Sequence, residues 1–137
     1  MADIAITAAN VVAGSGAAIS RSANAGATIT AGQVVSLDSS TGTYKLADCN
    51  SATAAVRSPV GIALNGASSG QPLAVLTSGP ITIGGTLTAG VVYYLSGTPG
   101  GIRPVADNTT GDYPVALGIA TSTSVLNVKL QEAGVAL

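Results

Sequence analysis

Few residues in this chain have types and spacings that could do chemistry, and each stands in a context that argues for another use. "GASSG" at residues 66–70 fits G-x-S-x-G, the pattern that holds a nucleophilic serine on a strand-to-helix turn, with Ser68 as nucleophile. The chain has no histidine to act as its base, and Asn65, Gly66 and Gly70 point to a polar hairpin loop, not a helix start. "GSG" at 14–16 could open a dinucleotide-binding loop, but no third glycine follows at the head of a helix. Acids Asp3, Asp38, Asp48, Asp107, Asp112 and Glu132 are scattered singly, mostly beside turns and without calcium-loop spacing. Transition metals would lack their commonest ligand. "NTT" at 108–110 is formally a glycosylation acceptor and is expected to be a turn, and Cys49 is alone, so no intramolecular disulfide forms. The expectation is a protein that is not an enzyme, with no catalytic residue, no metal and no cofactor.

Composition leads to surfaces instead. Only 8% of the 137 residues are charged, against about 25% in an ordinary domain. The net charge is -1, so no basic face exists to neutralise phosphates and nucleic acid is not expected as a partner. Mean hydropathy is +0.52, supplied by Ala, Val, Ile and Leu, with no Phe or Trp. Mixed charge keeps small domains apart in solution, so much of this surface is expected to be covered by other chains. A membrane is not the expected cover: no uninterrupted apolar run reaches about 18 residues. The start "MADIAITAANVV" carries Asp3 and no basic stretch, and does not read as a secretory signal.

One phrase occurs twice. "GATITAGQVVSL" at 26–37 returns as "GGTLTAGVVYYL" at 84–95, with seven identities in twelve positions at an offset of 58. The same offset carries Gly42 onto Gly100 and Lys45 onto Arg103; "GIA" at 61–63 then recurs at 118–120, and "LAVLTSG" at 73–79 matches "LNVKLQEAG" at 126–134 more loosely. Both halves, about 26–79 and 84–134, show short runs of Val, Ile, Thr and Tyr cut by Gly, Pro, Asn and Ser, the pattern of antiparallel hairpins. Only residues 50–58 could wind a short helix. The fold class expected is all-β, a small barrel or sandwich of two repeated hairpin units in a single domain over 26–137, preceded by an extended N-terminal arm over 1–25.

Gly32 and Gly90 are expected at equivalent tight turns, at least one with positive φ. Tyr93 and Tyr94 are adjacent on a strand and must face opposite ways, one to the core and one outward, where a subunit or a sugar could cover it. In the arm, Ile4, Ile6, Val11 and Val12 form an apolar patch suited to contact with a neighbouring chain.

The string "LDSSTGTYKLADCNSATAAVRSPVGIALNGASSGQPLAVLTSGP", with "VYYLSGTPGGIRPVADNTTGDYPVALGIA", resembles the small capsid decoration, or cement, proteins of tailed bacteriophages. The likeness is an order of features over residues 26–137: a Gly-Val-Val strand, a Ser/Thr/Gly turn, "LAD" or "VAD", "VGIA" or "LGIA", and a Gly-containing turn before a final strand. The resemblance implies a β-barrel or β-tulip virion protein, synthesised in the host cytoplasm, that sits as a homotrimer on the outer capsid surface and stabilises the head by bridging major capsid protein subunits. A head-fibre or adhesin-type module that contacts the host surface or its glycans is the competing reading.

Overall fold

The computed structural model describes residues 3–137. They form an all-β body of ten strands: β1 (Val12–Ala13), β2 (Ala18–Ser20), β3 (Val34–Asp38), β4 (Thr43–Leu46), β5 (Pro59–Ala63), β6 (Val75–Thr82), β7 (Val92–Leu95), β8 (Ile102–Pro104), β9 (Val115–Ala120) and β10 (Val125–Glu132). Among the described residues there is no α-helix, only single 3-10 turns at Ala8–Asn10 and Val105–Asp107. Residues 50–58 do not wind. The amides of Val56, Arg57 and Ser58 bond the carbonyls of Thr53, Ala54 and Ala55 as successive turns, and Pro59 then opens β5. So short a segment cannot offset the cost of a helix nucleus.

All paired strands are antiparallel, and eight of them follow the spatial order β4-β3-β5-β6-β10-β9-β7-β8, curling into a half-barrel, while β1 and β2 add to β6. Exchanging the two halves reverses this order onto itself. The register repeats as well: Val35↔Leu46, Ser36↔Lys45 and Leu37↔Tyr44 in the first hairpin become Tyr93↔Pro104, Tyr94↔Arg103 and Leu95↔Ile102 in the second. Against the next strand, Val34↔Ile62 and Val35↔Gly61 become Val92↔Ile119 and Tyr93↔Gly118, and the β-bulge falls between the same two positions in both halves. The last strands align differently from the loose sequence match. Ala63↔Val75 corresponds to Ala120↔Leu126, so Val75, not Leu73, is the counterpart of Leu126.

The duplicated turns are equivalent down to their hydrogen bonds. Gly32 N–H donates to Ala63 O at 2.8 Å and Gly90 N–H to Ala120 O at 2.7 Å, with φ of 92° and 85°. Backbone bonds between the halves then close the curl where the strand ladder stops. Gly100 N–H donates to Ala47 O at 2.7 Å, Val34 N–H to Gly100 O at 3.0 Å, and Cys49 N–H to Ser96 O at 3.1 Å.

Packing breaks the equivalence. Ile29, Val35, Tyr44, Ala63 and Val75 bury on one face of the first half, in a cluster of their own. Their counterparts Leu87, Tyr93, Ile102, Ala120 and Leu126 belong instead to the main core, together with Val34, Ile62 and Leu76 from the opposite face of the first half. The halves are therefore stacked front to back. Strand β6 makes this possible: Leu76 and Ile81 are five residues apart, a spacing that puts side chains on opposite faces of a regular strand, yet both lie in the main core. Between them Gly79 takes φ of 100°, and β6 shifts register against β2. A Cβ at Gly79 would lie 2.8 Å from Ala17 Cα.

Residues 3–25 do not stand off from this body; Met1 and Ala2 of the expected arm lie outside the described residues. Ile4 N–H donates to Ile102 O at 2.9 Å, Thr7 N–H to Gly84 O at 2.8 Å, and β1 and β2 extend the sheet along β6. An apolar, charge-poor segment gains about 25 cal/mol per Å² by covering the core of its own chain.

Valine at Gly79 is expected to cost more than about 2 kcal/mol, because both the positive φ and the approach of Ala17 oppose it. Valine at Gly32, where a Cβ would lie 2.6 Å from Ile6 Cγ2, should cost more than valine at Gly90, where nothing lies within 4 Å. Each should exceed about 1 kcal/mol from backbone strain. Urea unfolding midpoints of the three variants check the order.

Candidate interaction surface

Residues that suggested chemistry occupy structural positions. Ser68 lies in an exposed turn, its N–H donating to Gln71 Oε1 at 2.8 Å and its carbonyl accepting from Gln71 N–H at 3.0 Å. Asp38 accepts from the N–H and hydroxyl of Ser40 at 2.9 and 2.7 Å, as acids beside turns do. Those two bonds hold its carboxyl below the usual value. Among the described residues no group of three or more His, Cys, Asp and Glu side chains could hold a metal ion, and no helix is long and apolar enough to cross a membrane.

The main polar cluster joins the two connecting loops, 47–58 and 105–114, across the halves. Arg103 forms an ion pair with Asp112, the one such pair among the described residues, and reaches Cys49 Sγ at 3.1 Å and Asn108 Oδ1 at 3.3 Å. Thr109 N–H and Oγ1 donate to the same Asp112 oxygen at 3.0 and 2.9 Å, which makes "NTT" the start of a tight turn. Tyr113 N–H donates to Cys49 O at 2.9 Å, and Arg57 lies 3.7 Å over the Tyr113 ring, a cation–π contact. Burial disfavours the Asp112 charge, but the bonds from Thr109 and Arg103, with the guanidinium charge, outweigh it and hold the carboxyl below its ordinary range. Burial pushes the Cys49 thiol up to about 11 in spite of Arg103, so it stays protonated and unreactive at neutral pH. The cluster is a clasp.

The sequence-predicted contact residues separate. Tyr93 is 3% exposed, and its hydroxyl accepts from Thr88 N–H at 2.9 Å. The counterpart of Thr88, Thr30, uses Gln33 Oε1 for the same purpose. Tyr94 faces outward. In the arm, Val11 is buried, Ile4 and Ile6 pack partly buried against the main core, and Val12 is 58% exposed. The structure thus brings Ile4, Ile6, Val11 and Tyr93 to the main core, and leaves Val12 and Tyr94 to face outward on separate strands.

Sequence reading missed the groove beside Tyr94. Two cross-strand rows, Val92↔Ile119↔Asn127 and Tyr94↔Ala116↔Gln131, run over β7, β9 and β10 and, with Lys129, line a groove of about 330 Å³. Ile119 is 51% exposed at its centre. Strict alternation along β9 would put Leu117 and Ile119 on one face; the bulge, which leaves Leu117 unpaired opposite the Tyr93–Tyr94 step, turns Leu117 inward and Ile119 outward, and no residue type in the sequence marks it. Its lining, with Val92, Ala116 and Ile119 among Tyr94, Asn127, Lys129 and Gln131, offers apolar contact with hydrogen-bonding groups around it.

Comparison with known proteins finds no family model that matches the chain and no curated protein that matches it.

The Asp112 carboxyl sits lower in the folded chain than its ordinary value of 3.8, so the stability it contributes is full above that pH and is lost as pH falls through the folded-state value. Asp112→Asn should melt below wild type at neutral pH, and the gap should close as pH drops below 3.8. Scanning calorimetry over a pH series reads this. In the same samples Cys49, which is fully buried, should react with a thiol reagent only after denaturant is added.

Proposed function

We propose that this chain is a structural virion protein that binds the outside of a phage head and stabilises the capsid by bridging major capsid protein subunits, as a homotrimer. What carries the reading is the ordered resemblance of residues 26–137 to capsid decoration proteins of tailed phages. The charge-poor composition supports it, since such a surface suits a part that other chains cover. So does an exposed groove with Ile119 at its apolar centre. A trimer that meets several capsid subunits gains avidity, because each later contact is effectively intramolecular. No single contact then has to be strong.

Within residues 3–25, Val12 and Ile19 remain exposed, at 58% and 37%, and are the side chains left to meet a capsid. The test is sedimentation of the protein with undecorated heads, followed by heating. Wild type should saturate the heads at fixed stoichiometry and raise their disruption temperature. Val12→Asp with Ile19→Asp should weaken docking with little change in the protein's own melting. Deleting residues 3–20 should lower that melting, since it removes Val11 from the core. A wild-type protein that leaves heads bare, and instead binds host cells or glycans, would move the adhesin reading to the front.

A further inference from the structure

The front-to-back stacking of the halves leaves two exposed features, and each is the repeat counterpart of one partner in the interface between the halves. Inside the chain, the β7–β8 hairpin is the inserting element. Its Leu95 is fully buried, and its Gly100 exchanges backbone bonds with Val34 and Ala47. The row Val34↔Ile62↔Leu76, fully buried in the same main core as Leu95, is the receiving side. The counterpart of the inserting hairpin is β3–β4, where Leu37 is 41% exposed and a Cβ on Gly42 would meet nothing within 4 Å. The counterpart of the receiving row is Val92↔Ile119↔Asn127, the open groove.

We propose that copies of this chain assemble head to tail, with the β3–β4 hairpin of one copy seated through Leu37 on the Val92–Ile119 row of the next. The occupant is a second copy because Leu95 and the row Val34↔Ile62↔Leu76 lie together in the main core, while their repeat counterparts Leu37 and the row Val92↔Ile119↔Asn127 stay at the surface, although loops of the same chain cover the rest of that first-half face. Charge fits as well. Asp38 follows Leu37 at the hairpin tip, where the Ser40 bonds favour its ionised form, and Lys129 is among the residues that line the groove. Addition of a strand at the sheet edge is the weaker route, since β8 has three residues and includes Pro104, which has no N–H to donate. A heterologous contact of this kind closes into a ring or grows without limit according to its rotation. The inference deepens the self-association within the proposed function and is tested without capsids.

The experiment is sedimentation velocity of the free, full chain over a concentration series, for wild type, Leu37→Asp, Ile119→Asp and, as a control, Val135→Asp on the exposed tail. Wild type and the control should associate. Each of the other two should weaken association at least about tenfold, as truncating an interface anchor does, while melting stays near wild type because both side chains are exposed. Mixing them should restore association, but only as one-to-one pairs, since one variant keeps its groove and the other its hairpin. Recovery on mixing also shows that both variants fold. A wild type that sediments as a monomer at every concentration overturns the proposal, as does a mixture that fails to recover, which would mean a twofold contact or none. If wild type is monomeric and Ile119→Asp loses docking to heads, the groove belongs to the capsid and not to a second copy. If wild type associates and the variants complement, yet heads stay bare, this inference stands and the capsid reading falls.

Discussion

The passage of β6 through Gly79 governs how the halves meet. Before this residue β6 pairs with β5 and β2; after it, with β10 and β1. A strand of regular pleat would carry Leu76 and Ile81 to opposite faces. The positive φ of Gly79 and the local register shift bring both inward, and Ala17 packs so close that only a residue without a Cβ fits. One backbone conformation thus turns two equivalent hairpin units into a front-to-back stack. The first half is buried on both faces and the second on one.

Each half answers this differently in its side chains. Where the first half has Val35 facing a small cluster closed by residues 23–31 and 65–73, the second has Tyr93, whose ring fills the main core and whose hydroxyl also satisfies the Thr88 amide. Where the first half has Leu76 deep in the core, the second has Asn127 on an open row. A buried leucine contributes about 1.5–3 kcal/mol relative to exposure, which an exposed position cannot return, so a polar residue there costs little. The clasp adds what apolar packing cannot, a fixed geometry between the two connecting loops. Among the described residues, Arg103 is the only side chain that reaches both Cys49 of one loop and Asp112 of the other. With both partners nearly buried, loss of either would strand a charge.

Much of the fold was legible, because its signals are local or periodic. The duplicated phrase placed both hairpins, the glycine after "TA" placed both positive-φ turns, and alternation of β-branched residues gave the strands. The match of 73–79 to 126–134 slipped by two residues, since the loop before β6 is longer than the one before β10 and Leu73 offers a false anchor. Residues 50–58 carried helix-favouring alanines, but closure of the curl through Ala47 and Cys49 holds that loop in turns. The arm was read as separate because nothing in its own sequence reports that β6 has an edge free for β1 and β2. The Arg103–Asp112–Cys49 clasp was invisible for the same reason: its members lie in different loops that only the tertiary fold brings together.

Front-to-back stacking has a further consequence that front-to-front stacking would not. Two equivalent units related face to face bury the same surface on both, and the pair is closed. Units stacked in one direction bury the receiving face of the first and the inserting hairpin of the second, and leave the opposite pair unused. Leu37 and Ile119 are those unused members, and both are among the few large apolar side chains that stay exposed. In a chain with only 11 charged residues there is little else to discourage contact at such places. The polarity of the stack and the scarcity of charge therefore act together: the first supplies a complementary pair of sites on every copy, and the second leaves them unguarded.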